Sequence, residues 1–88
     1  MEHIQLKKFE LIPGKLYRLK ANVRFFRYPY VDETSSLEQF EMYVGDIIFL
    51  LTVETKIELH TSWIYKGKTI FKEFVLGTDT SEKQLELI

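Results

Sequence analysis

Eighty-eight residues with a formal charge of −1 suffice for one domain and are too few for a second core. The absence of cysteine excludes disulfides and thiolate metal sites, and no apolar run approaches the ~20 residues of a transmembrane helix. Seven Phe, five Tyr and one Trp against a single alanine, Ala21, favour strands over a helical bundle.

The segment Met1 to Gln5 has no basic stretch leading into an apolar one, so no secretory signal is expected and cytoplasmic residence is the default. Ile4 to Leu11 reads as a short strand or extended lead-in. Pro13-Gly14 signals a turn, with proline presetting φ at the first corner and glycine accepting positive φ at the second. From Lys15 to about Arg27 the chain alternates. Tyr17, Leu19, Ala21, Val23 and Phe25 fall on one face, and Arg18, Lys20, Asn22 and Arg24 on the other. Period two predicts a half-buried antiparallel strand with a basic outer surface. Pro29 breaks the ladder because it cannot donate a backbone hydrogen bond.

Residues 30–39 are polar and irregular, with Ser36 and Gln39 at capping-box spacing. Phe40 to Tyr43 resumes extended structure, and Gly45-Asp46 punctuates it. Ile47 to Leu51 is a continuous apolar run, the pattern of a strand buried on both faces. Ile57 to Tyr65 alternates again, with Ile57, Leu59, Thr61, Trp63 and Tyr65 on one face and Trp63 assigned to the core. Lys66-Gly67 between two β-rich runs predicts a tight hairpin. Gly77 ends the next strand. Asp79 and Glu82 have capping-box spacing for one helical turn before a short closing strand, Leu85 to Ile88.

This order predicts an all-β fold, a single domain over residues 1–88 built as a five- to six-stranded antiparallel barrel with one or two short helical turns. A helical turn before the last strand matches an SH3-like barrel. Leu11 to Leu19 (LIPGKLYRL) and Val44 to Leu51 (VGDIIFLL) resemble phrases of SH3-like small barrels. They are also similar to small accessory proteins of T4-like tailed phages. That second resemblance implies a host protein as partner. The Ala-Leu-Tyr-Asp-Tyr box of true SH3 domains is missing, so polyproline recognition is not implied.

Nothing in the chain reads as catalytic, and no enzyme activity, cofactor or metal is expected. The two histidines, His3 and His60, stand outside any local His/carboxylate pattern, and His60 reads as an outward-facing surface residue. The four glycines are isolated turn residues and form no phosphate cradle.

Charge is unevenly spread. Residues 1–27 hold seven bases against two acids, and residues 28–56 hold six acids against Lys56. Either a basic face serves binding, or basic and acidic strands pair across the sheet. The outward row Arg18, Lys20 and Arg24, extended by Phe26, Tyr28 and Tyr30 and by the acidic loop residues Asp32 and Glu33, is the candidate partner-binding surface. It joins charge that steers encounter to aromatics that supply contact energy. The expected function is a small binding module engaging a protein partner. The alternatives are a nucleic-acid-binding barrel using the basic, aromatic face, and a small-ligand or nucleotide site formed by oligomerising barrels. No membrane association is expected, and the sequence leaves the oligomeric state open.

Overall fold

The computed structural model describes residues 9–27 and 39–88. Within them the chain forms β1 (Leu16–Leu19), β2 (Val23–Phe26), β3 (Gln39–Met42), β4 (Ile47–Thr55), β5 (Leu59–Tyr65), β6 (Lys68–Phe74), α1 (Thr80–Gln84) and β7 (Leu85–Leu87). All seven strands pair antiparallel in one sheet of order β3-β2-β6-β5-β4-β1-β7. The sheet curls into an open half-barrel. The strand total exceeds the expected five to six chiefly because the long alternating segment is divided in two.

That division is the main correction to the sequence reading. The alternation itself holds, with Tyr17, Leu19, Val23 and Phe25 all buried on one face. Yet the ladder stops at Lys20–Asn22, where the chain bends. β1 pairs with β4 and β7, while β2 pairs with β3 and β6. A bend keeps the inward face inward while moving the chain across the sheet, so period two survives a change of partners. Two contacts hold the corner: Val44 N–H donates to Asn22 Oδ1 at 3.0 Å, and Lys20 N–H donates to the Gln84 carbonyl at 2.8 Å.

The hairpin of β5 and β6 follows the expected turn. Lys66 and Gly67 both have positive φ, 49° and 78°, the signature of a two-residue turn whose twist matches the flanking strands. The register it sets pairs Tyr65 with Lys68, Trp63 with Ile70 and His60 with Glu73. The Pro13-Gly14 turn also forms, with Lys15 N–H reaching the Ile12 carbonyl at 3.3 Å and Gly14 at φ 90°.

β4 departs from expectation. Its apolar run is not buried on both faces: Ile48 and Leu50 are enclosed, whereas Ile47 and Leu51 are 45% and 42% exposed. A bulge between Leu50 and Thr52 adds a residue opposite β5 and resets the alternation, so that Val53 returns to the core side and Thr52 and Glu54 face outward. Ile57, expected on the apolar face of the next strand, precedes β5 and is 90% exposed. The helical turn before the closing strand is α1. Asp79 is its N-cap residue but makes no side-chain capping bond, and its carboxylate instead meets Lys83 one turn on, at 3.5 Å. Of the predicted Ser36–Gln39 capping box, Ser36 lies outside the described residues and Gln39 opens β3.

The core is centred on Trp63. Tyr17 from β1 and Phe25 from β2 meet it edge-on, at ring centroid distances of 5.6 and 6.2 Å. Its indole N–H donates to Thr61 Oγ1 at 2.7 Å, and that hydroxyl donates to the Lys72 carbonyl at 2.7 Å, so the polar atoms of these two side chains are partnered. Phe9 and Leu11 pack against this core, and the Tyr17 hydroxyl clasps their segment by donating to the Glu10 carbonyl and accepting from Ile12 N–H.

Candidate functional site

The face of the sheet turned away from Trp63 carries two regions of different character. Across β1, β4 and β5 part of it is apolar, beside the Arg18–Glu86 pair that bridges β1 and β7. Leu16 lies opposite Phe49, Phe49 lies opposite Ile64, and Ile88 N–H donates to the Leu16 carbonyl on the other side. Leu16 and Ile88 are 46% and 55% exposed, and Ile47, two residues from Phe49 on the same face of β4, stands opposite Arg18. These residues make an apolar strip that ends just past the edge strand β7.

Over β4, β5, β6 and β2 the same face becomes polar and hollow. A cleft of about 260 Å³ opens there, floored by Thr52 and Ser62 and walled by Phe26, Phe71, His60 and Glu73. Thr52 and Ser62 share a hydrogen bond between their hydroxyls. Phe26 stands opposite Phe71, so the two rings close one side. At the far end His60 Nδ1 lies 3.2 Å from Glu73 Oε2, and Glu58 joins them, with potential ligating atoms of all three residues within 4.8 Å of one another. Burial pushes the Glu73 carboxyl above the ordinary carboxylate range, and the neighbouring Glu58 pushes it further by charge and by hydrogen bonding; His60 and Lys72 oppose the shift. The Lys72 amine is displaced the other way, downward, by its own burial against the pull of Glu73. Two carboxylates, an imidazole and a hydroxyl pair can bind a proton or a cation. Among the described residues, no nucleophile stands hydrogen-bonded to a base, as acyl transfer would require.

The structure separates Arg18 and Lys20 from Arg24 across the sheet, and each of the three meets a partner of its own. Arg18 Nη1 donates to Glu86 Oε2 at 3.1 Å, across from β1 to β7. Lys20 Nζ donates to the Glu82 carbonyl at 3.1 Å. Arg24 Nε lies 3.8 Å from Glu41 Oε1, across from β2 to β3. The uneven charge along the chain thus resolves, at these three positions, into pairing with acids or a carbonyl of neighbouring segments. Arg18 and Arg24 also stand on strands separated in the sheet by β4, β5 and β6. Phe26 is half-buried and belongs to the cleft wall instead of a basic row. Tyr28, Tyr30, Asp32 and Glu33 lie outside the described residues.

Sequence reasoning missed the Glu58–His60–Glu73 group, although part of it was within reach. A two-residue turn at Lys66-Gly67 fixes every pairing along the hairpin, and counting back from it sets His60 opposite Glu73. Glu58 carried no such signal, since it precedes β5 in a turn where Lys56 N–H donates to the Glu58 carbonyl at 2.9 Å.

Among the described residues, no helix is long and apolar enough to cross a membrane. Comparison of the chain with protein-family models, with curated proteins and with solved structures gives no match.

Proposed function

We propose that this chain is a non-enzymatic binding module that engages a protein partner through the outward face of its half-barrel. The observation behind this reading is the exposed apolar strip Ile88–Leu16–Phe49 with Ile47, bordered by the Arg18–Glu86 ion pair. An apolar centre with a charged, two-signed rim is the anatomy of a protein interface. The reading keeps the SH3-like resemblance, supported by the short strands, the tight hairpin and the helical turn before the closing strand. It also keeps the resemblance to phage accessory proteins, which makes bacterial proteins the natural partners to test. A nucleic-acid partner is less favoured, because Arg18, Lys20 and Arg24 already hold acidic or carbonyl partners and phosphate binding draws on unneutralised cations.

Affinity capture from bacterial lysate with three baits tests this. Wild type and Arg24→Glu are expected to retain the same specific proteins, and Leu16→Asp to lose them while staying folded by circular dichroism. Retention by Leu16→Asp would remove the apolar strip from consideration. Loss with Arg24→Glu would return the interface to the basic row. Sedimentation of the purified chain distinguishes a second copy of itself from a foreign partner.

A further inference from the structure

We infer that Glu58, His60 and Glu73 form a binding site for one divalent first-row transition ion, with zinc as the probe. The inference is independent of the protein-binding reading and rests on other residues.

The geometry of Glu73 points to it. Its Oε2 is enclosed by the protein and has no hydrogen-bond partner among the described residues, although His60 Nδ1 is only 3.2 Å away. The pair therefore has the separation of a hydrogen bond without its alignment. Two donor atoms each 2.0–2.2 Å from a tetrahedral ion stand roughly 3.3 Å apart, so this spacing suits two ligands of a common cation. A third donor is at hand in Glu58, within the 4.8 Å span of the group.

The chemistry of the set agrees. The Glu58 and Glu73 carboxylates are held within the same 4.8 Å group, where like charges repel. A cation between them relieves that repulsion. An imidazole nitrogen beside two carboxylates suits zinc and its neighbours better than magnesium or calcium, which prefer oxygen alone.

The supports are firm where they need to be. His60 and Glu73 are fixed opposite each other in the β5–β6 ladder, and their side chains are 33% and 17% exposed. Glu58 lies on the turn before β5, half-buried, with its carbonyl held by Lys56 N–H at 2.9 Å. Of the nearby amines, Lys56 Nζ meets Glu54 at 3.5 Å, and Lys72 Nζ lies over the Phe74 ring, 5.6 Å from its centroid, while remaining near enough to Glu73 to act on its carboxyl. The remaining coordination position would open toward the cleft that Phe26 and Phe71 wall on one side, where water or a partner's side chain could enter.

Calorimetric titration of the full chain with zinc chloride, with magnesium chloride as the comparison, tests the site. One zinc per chain is expected, with no magnesium binding. His60→Asn should weaken zinc at least tenfold, since loss of a ligand costs at least as much as the 10–100-fold typical of a ligand's supporting residue. His3→Asn should leave it unchanged. Titration with cobalt gives a second readout, a visible absorption band that Glu58→Gln abolishes; this substitution, on a turn, also serves if His60→Asn does not fold. Absence of binding up to millimolar free zinc, retention of wild-type affinity by His60→Asn, or loss with His3→Asn would each overturn the assignment.

Discussion

β1 and β2 share one pattern and reach opposite ends of the sheet. Each is four residues long, each alternates enclosed with more exposed side chains, and only Lys20, Ala21 and Asn22 separate them. Their inward faces meet again at Trp63, with Tyr17 on one side and Phe25 on the other. Their outward faces never meet: the β1 face belongs to the apolar strip around Leu16, and the end of β2 walls the polar cleft with Phe26. The core constrains both segments equally because both must fill the same volume. The outer surface diverges because its character depends on neighbours, and the bend gives the two segments different ones.

The strongest test of this comparison lies in the shared core. Leu19→Ala and Phe25→Ala should each cost about 3–5 kcal/mol, because both leave a cavity in a close-packed interior. Chemical denaturation of the two variants checks it. If Phe25→Ala cost a fraction of Leu19→Ala, the two segments would not feed one core.

The next effect is at the bend. Asn22→Ala removes the acceptor for Val44 N–H and should cost about 1 kcal/mol. Faster amide exchange at Val44 than in the centre of β5 would accompany the loss. Unchanged stability and exchange would show that the corner is held by strand pairing alone.

At the polar end, the expected effect is a change of slope with pH. Glu73 has its carboxyl raised in the folded protein, so over the interval above the ordinary carboxylate range the folded state binds more protons than the unfolded state. Its contribution to stability therefore declines as pH rises from about 4.3 through the raised value. Glu73→Gln mimics the neutral form, and its stability relative to wild type should improve across that interval and match it below. Urea denaturation at several pH values in the presence of a chelator reads this out. Parallel curves would mean that burial and Glu58 do not act on this carboxyl as the geometry indicates.

The smallest effects belong to the basic row. Arg18→Ala and Arg24→Ala should each change stability by no more than about 0.5 kcal/mol, because both ion pairs are exposed and screened. A cost above about 1 kcal/mol at Arg24 alone would show that β2 and β3 depend on that pair to stay joined.

The sequence by itself determined which side chains of β1, β2 and β5 face the core, because period two is a local property of the extended chain. Tyr17, Leu19, Val23, Phe25 and Trp63 were all legible in this way, as were the Pro13-Gly14 and Lys66-Gly67 turns and the helical turn before Leu85. It also contained the His60–Glu73 pairing, since a two-residue turn sets a register that extends the length of its hairpin. Only the tertiary structure decided where the alternating segment would bend, where β4 would bulge and which acids would meet Arg18, Lys20 and Arg24. Those outcomes depend on distant partners: Glu86 is 68 residues from Arg18, and Glu82 is 62 from Lys20. The outward face follows the same rule. Alternation says that a residue points away from the core, but the identity of its neighbours comes from strand order, and strand order is settled by packing the whole sheet around Trp63.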